Sequence, residues 1–198
     1  MNRYSASAVK FSFWFSEFAE TINLAAKEPN RAELRAYIEA NNPYSAVSPS
    51  RLKTTTIVVM RRVEAISPGL RELFSQLDPV NQKMVNLISI MNTESLTYSF
   101  MYEVFRQELV LGDRRIEPYE VTAFFNKLSL EYPQVAKWTD QTVSRLQSTL
   151  RNYLRSAGLV KNDGDDLVVQ SYLVDPRLID QLRADNKPDY IAIFTGRV

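Results

Sequence analysis

Five proline pairs in which the preceding residue can cap a helix partition the chain before any other signal is considered. They are Ser48-Pro49, Ser67-Pro68, Asp78-Pro79, Glu117-Pro118 and Asp175-Pro176. A Ser hydroxyl or an Asp carboxylate accepts hydrogen bonds from the free N–H groups of a first helical turn. Proline at the first helical position gives up only an N–H that has no intrahelical partner. Each pair therefore predicts a helix start, with Glu117 the weakest cap. Glycine marks the opposite ends: Gly112 follows VFRQELVL and Gly158 follows NYLRSA, both as helix stops.

Apolar spacing fills the intervals. Phe15, Phe18, Ile22 and Ala26 predict a helix over residues 12–26, and Leu34, Tyr37 and Ile38 one over 30–40. Leu52, Thr56, Val59, Val63 and Ile66 place a helix over 49–66, followed by shorter stripes over 68–77 and 79–92. Further helices are predicted over 94–111, 118–131, 140–157 and 176–184. Leu159-Val160-Lys161 and Leu167-Val168-Val169 flank an Asx- and Gly-rich turn, Asn162–Asp166, and read as one short β-hairpin. That turn lacks the pattern of a calcium loop with its terminal Glu. Residues 190–194 fit a short strand or a last helical turn, and 41–47 and 110–117 read as loops. The expected fold class is mainly α, with an N-terminal three-helix, helix-turn-helix-like unit in residues 1–77. Residues 78–198 are expected to form a helical subdomain with a winged-helix-like unit.

The chain contains no histidine and no cysteine. This excludes imidazole general bases, thiolate nucleophiles, disulfides, zinc fingers and haem held by His or Cys. No glycine-rich phosphate loop or paired-carboxylate spacing is present, so the chain is expected not to be an enzyme and to need no cofactor or metal. No segment reaches the roughly 18–20 apolar residues of a membrane span. The expectation is a soluble, cytoplasmic protein with no membrane partner. The aromatic run Phe11, Phe13, Trp14, Phe15 and Phe18 reads as core, with an interface patch as the alternative, and Glu94, Glu103 and Glu108 as solvated helix charges.

The net charge of +1 hides an alternation. Residues 31–71 carry +4, residues 72–139 carry −3, residues 140–162 carry +3 and residues 163–198 carry −3. The first basic block holds the helix SPSRLKTTTIVVMRRV, from which Ser50, Arg51, Lys53, Arg61 and Arg62 are expected to face a phosphate backbone. Two preceding helices would pack across it in a helix-turn-helix-like arrangement, although the loop of about seven residues before it is long for that motif. The competing reading is an ordinary solvated basic face on a core helix. The second block gives the order helix, short connector, helix, hairpin, which is that of a winged helix. Thr139 would cap the second helix, and Thr142, Arg145 and Arg151 would lie on its polar side with Lys161 at the base of the wing. Asp163, Asp165 and Asp166 make the wing tip acidic, so either the helix touches nucleic acid with the tip turned away, or the unit docks a protein.

Several stretches carry a family resemblance. They include Tyr4-Ser5-Ala6, Ile38-Glu39-Ala40-Asn41 ahead of the Arg51–Arg62 helix, and Phe100-Met101-Tyr102-Glu103-Val104-Phe105-Arg106. They continue with Phe124-Phe125, Trp138-Thr139-Asp140-Gln141-Thr142 and Leu154-Arg155-Ser156-Ala157-Gly158-Leu159. In order and spacing over about 180 residues the chain resembles the BrxA family of BREX phage-defence systems, small helical proteins also described as similar to the antitermination factor NusB. The resemblance implies a non-enzymatic accessory factor that binds double-stranded DNA, without strong sequence preference, alongside other BREX proteins. It offers no catalytic residue to carry over. A protein-docking scaffold, held through the acidic hairpin and the aromatic N-terminus, and a NusB-like RNA binder are the alternatives.

Overall fold

Every proline-marked start opens a helix at the proline itself. The computed structural model describes residues 4–28 and 30–197. A 3-10 turn (Ala6–Lys10) precedes α1 (Phe15–Ala25), α2 (Arg31–Asn41), α3 (Pro49–Glu64), α4 (Pro68–Phe74) and α5 (Pro79–Thr93). Helix α6 (Ser95–Phe100) runs through a π-helical turn (Met101–Phe105) into α7 (Arg106–Leu111). Then come β1 (Arg115–Ile116), α8 (Pro118–Glu131), α9 (Pro133–Ala136) and α10 (Asp140–Ser156). The hairpin β2 (Val160–Asp163) and β3 (Asp166–Val169) leads to α11 (Pro176–Ala184) and α12 (Pro188–Thr195). The fold is mainly α.

The caps work as their chemistry requires. Ser48 Oγ accepts the Arg51 N–H at 3.3 Å, Ser67 Oγ that of Leu70 at 3.2 Å, and Asp175 Oδ1 that of Arg177 at 2.8 Å. Asp78 Oδ1 accepts two, from Val80 and Asn81. The Glu117 N–H donates to Glu120 Oε2 at 2.7 Å. Gly112 and Gly158 take φ values of 81° and 76°, the left-handed conformation that ends a helix without a Cβ penalty. Residues 190–194 lie in α12, which Pro188 opens.

The three strands form one antiparallel sheet in the order β1-β3-β2. Strand β1 lies in the stretch 110–117 that the sequence marks as loop, because two residues are too few to show a strand period. The main core draws residues from both sides of position 77, from Tyr4 to Phe194, and a smaller cluster of Leu34, Ile38, Leu52 and Met60 joins α2 to α3. Helix α5 is buried on every side from Met84 to Met91, as befits a central helix.

The N-terminal aromatic run departs from expectation. Helix α1 starts at Phe15 rather than at residue 12, because the carbonyls of residues 11–13 are taken by side chains from three other helices. Arg62 Nη1 of α3 donates to Ser12 O at 3.0 Å and Phe13 O at 3.1 Å. Asn86 Nδ2 of α5 donates to Phe13 O at 2.8 Å, and the Tyr153 hydroxyl of α10 to Phe11 O at 3.1 Å. The Arg62 guanidinium also lies over the Trp14 ring, 5.5 Å from its centre. Trp14 is held at φ 49°, a conformation that costs a bulky residue energy and persists only where the surroundings fix it.

Three expected surface positions, Arg62, Glu94 and Glu108, are interior ones. Arg62 is fully buried, and Glu94, read as a solvated charge, is 7% exposed with Oε1 3.8 Å from Arg62 Nη2. Burial pulls the Arg62 pKa down and pushes that of Glu94 up, and the mutual attraction opposes both shifts. Glu108 is also buried, at 2% exposure. Burial, followed by the neighbouring Glu120 carboxylate, pushes its pKa up to about 7, while the Arg115 backbone N–H opposes this. Glu103 stays half-exposed and pairs with Lys127 at 2.9 Å.

These interior charges should govern stability. Arg62→Ala leaves two carbonyls and a buried carboxylate without their cation, and is expected to cost about 3–5 kcal/mol in urea denaturation. The exposed neighbour substitution Arg61→Ala should stay within about 0.5 kcal/mol. Equal losses at the two positions would refute the tether. Glu108 binds its proton more tightly folded than unfolded, so stability should fall as pH rises from 4.5 to about 7 and stay low above it. Thermal melts of Glu108→Gln should lack this decline and exceed the parent protein by several degrees at alkaline pH; parallel profiles would contradict it.

Candidate nucleic-acid interface

Helix α3 divides its basic residues between two environments. Ser50, Lys53, Thr54, Ile57, Arg61 and Glu64 recur at helical spacing and are exposed, forming one face. Lys53 and Arg61 are about 12 Å apart along the axis, at 1.5 Å per residue. Arg51 is exposed beside the N-terminus. Among the described residues, the side chains of Arg51, Lys53 and Arg61 make no hydrogen bond or ion pair, so their charge faces outward. Glu64 closes the face at its C-terminal end and pairs with Arg31. The first turn holds no acid, so its free N–H groups keep their positive end. Arg62, expected to project with the others, points inward onto Ser12 and Phe13 and cannot reach a ligand.

The approach to α3 is built. Asn42, at φ 46°, ends α2 and clamps Ala46 through both its side-chain amide atoms, at 2.9 and 3.0 Å. Tyr44 meets Thr21 of α1 through their hydroxyls at 2.5 Å. The long loop thus fixes α3 against α1 and α2.

Helix α10 has the cleaner polar face. Thr139 Oγ1 caps it through the Thr142 N–H at 3.2 Å. Gln141, Ser144, Arg145, Ser148, Asn152 and Arg155 are all exposed at helical spacing, and no carboxylate occurs from 141 to 156. Arg145 is partnerless among the described residues, and Thr142 is half-buried. Arg151 is half-buried and donates to the Asp165 carbonyl, and Arg155 donates to Asn162 Oδ1 at 3.2 Å and to Asn152. These two arginines therefore hold the hairpin against the helix. Lys161 is exposed on β2, opposite Val168.

The hairpin tip is less acidic than its sequence. Arg115, which the sequence did not single out, reaches from β1 to Asp166 at 2.6 Å and Asp163 at 2.9 Å. The only sequence signal for it was an Arg before Ile116 and the Glu117-Pro118 cap. Strand β1 sits next to β3, not β2, which puts Arg115 within reach of both carboxylates. The Asp165 carboxylate has no partner among the described residues, while its carbonyl accepts from Arg151. No cluster of metal-ligating side chains occurs among the described residues. Within the same limits, no helix is long and apolar enough to cross a membrane.

The chain is similar to proteins of one family along most of its length. A family model described as BrxA matches residues 2–186. A relative described as "BREX protein BrxA", from Bacillus cereus (strain H3081.97), is 25% identical over 182 residues, covering 92% of this chain and 91% of that protein. An uncharacterized protein from Magnetospirillum magneticum, known as a crystal structure, has the same fold with a TM-score of 0.78 and 17% identity, covering 98% of this chain and 100% of that one.

Arg115 is expected to order the hairpin tip. Arg115→Ala should speed amide exchange at Lys161–Val168 several-fold with helix content unchanged by circular dichroism. Unchanged protection would mean that Arg151 and Arg155 hold the tip without it.

Proposed function

The chain belongs to the BrxA family, and on that premise we propose that it is a non-enzymatic DNA-binding component of a BREX phage-defence system, acting in the cytoplasm with other BREX proteins. The observation that carries the DNA reading is the exposed, carboxylate-free face of α10 beside a hairpin held rigidly against it. The element order β1, α8, α9, α10, β2, β3 with strand order β1-β3-β2 resembles that of a winged helix, in which α10 would be the recognition helix. Arg145, Thr142 and Lys161 would make its contacts, with Arg151 positioning the wing. Ser50, Arg51, Lys53 and Arg61 on α3 would make a second, helix-turn-helix-like contact, in which a phosphate meets the acid-free first turn.

Affinity would come chiefly from displaced counterions, with little base discrimination. Ser and Thr hydroxyls bond phosphates of any sequence. On α10 only Arg145 of the two exposed arginines is without a partner among the described residues, a thin basis for reading bases, which needs several bidentate contacts.

Titration of a labelled duplex by anisotropy at several salt concentrations tests this. The logarithm of the binding constant should fall linearly with log salt, by about 0.9 per phosphate neutralised. Arg145→Glu/Lys161→Glu and Lys53→Glu/Arg61→Glu, all at exposed positions, should each weaken binding at least ~10-fold and lower the slope by about 1 for every phosphate left without its cation. A flat salt dependence, or displacement of the duplex by structured RNA at lower concentration than by unlabelled duplex, would overturn the proposal.

A further inference from the structure

A cavity of about 740 Å³ opens between α7, α11, α12 and the chain leaving β3, and shares no lining residue with α3 or α10. Its size suits a bulky side chain or a small ligand. Leu109, Val174, Ile179 and Phe194 supply apolar walls. Three arginines, Arg114, Arg183 and Arg197, also line it, and no Asp or Glu does. Arg183 pairs with the exposed Asp180 at 2.9 Å, whereas Arg114 and Arg197 have no carboxylate partner among the described residues.

The geometry is fixed from both ends. Asn81 at the start of α5 donates to Leu173 O at 3.0 Å and accepts from the Asp175 N–H at 3.0 Å. The Tyr172 hydroxyl donates to Phe194 O at 2.9 Å. Gly196, at φ 69°, lets the end of α12 lie so close to α7 that a Cβ there would come within 2.9 Å of Leu109 Cβ, and this turn carries Arg197 to the mouth. Between these ties, the main-chain N–H groups of Ser171, Tyr172, Leu173 and Val174 make no hydrogen bond among the described residues. Leu173 turns its side chain outward, 81% exposed.

We propose that this cavity docks an extended acidic segment of a partner protein. An apolar side chain of that segment enters the cavity, its carboxylates meet Arg114, Arg183 and Arg197, and its main-chain carbonyls meet the free N–H groups along 171–174. Each part answers one observation: three arginines of which only Arg183 has a carboxylate partner among the described residues, an apolar recess, and main-chain N–H groups along 171–174 that make no hydrogen bond among the described residues. A DNA duplex presents its charge on a convex backbone, and its apolar groups, the thymine methyls, lie recessed in the major groove where they cannot enter a cavity of the protein. The site does not depend on the DNA reading of α3 and α10.

Selection of random peptides displayed on phage against the full chain, followed by anisotropy with the synthesised winners, tests the inference. The winners are expected to place carboxylates on either side of a bulky apolar residue. Arg114→Glu/Arg183→Glu, and separately Leu173→Asp, should weaken them at least ~10-fold while thermal melts and duplex binding stay unchanged. These side chains are exposed, and the Arg114 backbone carbonyl that accepts the Val169 N–H at 2.8 Å is retained. Failure to enrich any peptide, winners without carboxylates, or winners that bind both variants equally would overturn the proposal. Loss of duplex binding in Arg114→Glu/Arg183→Glu would overturn it in favour of a nucleic-acid face.

Discussion

Arg62 brings together parts of the chain that no local preference would join. Its guanidinium donates through Nη1 to two consecutive carbonyls, covers an indole ring and faces a buried carboxylate with Nη2, all from one position on α3. A lysine ammonium is a compact charge and could not also lay a planar group over the ring. Asn86 and Tyr153 complete the attachment from α5 and α10, so the non-helical residues 11–14 are the seam along which three helices close. Burying a cation is costly, and a well-packed apolar replacement could match its stability. What an apolar residue could not do is satisfy the carbonyls of a segment that has left helical geometry. The left-handed Trp14 and the late start of α1 accompany this set of side-chain bonds, in which Arg62 makes the most contacts.

The helix layout was legible because capping is local. A Ser or Asp followed by Pro decides its own first turn whatever the rest of the chain does, and the five starts stand where the sequence put them. Charges were read less well, because their fate depends on distant partners. Arg61 and Arg62 look alike in sequence, yet one is exposed and the other wholly buried. A wheel count carried a signal: Thr55, Val58 and Arg62 recur at helical spacing and all three are buried, so position 62 lies on the inner flank of the apolar stripe. Glu94 and Glu108 had no such cue, since their burial is set by α3 and α8. Arg115 was missed because a strand of two residues has no period to read, and its carboxylate partners lie about fifty residues away.

The same facts change the meaning of the charge blocks. Counting +4 for residues 31–71 includes Arg62, which is interior, and Arg31, which is paired. Counting −3 for the last block includes Asp163 and Asp166, which Arg115 holds from an earlier block. The tip that looked repulsive to phosphate is thus largely compensated. Among the described residues, what faces solvent without a partner on these surfaces is mostly cationic: Lys53, Arg61, Arg145 and Lys161, and at the cavity mouth Arg114 and Arg197. A neutral total is therefore compatible with a surface that selects anions.

The two proposed anion-binding surfaces would have to discriminate by shape, because their charges are alike. On α10 the cation stands on a convex helix face among hydroxyls and amides, and its hairpin is already fastened by Arg151 and Arg155. A backbone of phosphates can lie against such a face with little ordering cost to the protein. At the cavity the cations ring an apolar recess beside unbonded N–H groups, and a phosphate backbone has nothing to place there. A peptide has both a side chain for the recess and carbonyls for the N–H groups. The hydrogen bonds that fix each surface come from separate residues, Arg115, Arg151 and Arg155 for the first, Asn81 and Tyr172 for the second. Occupation of one therefore need not disturb the other, which is the arrangement a small adaptor between DNA and a protein partner requires.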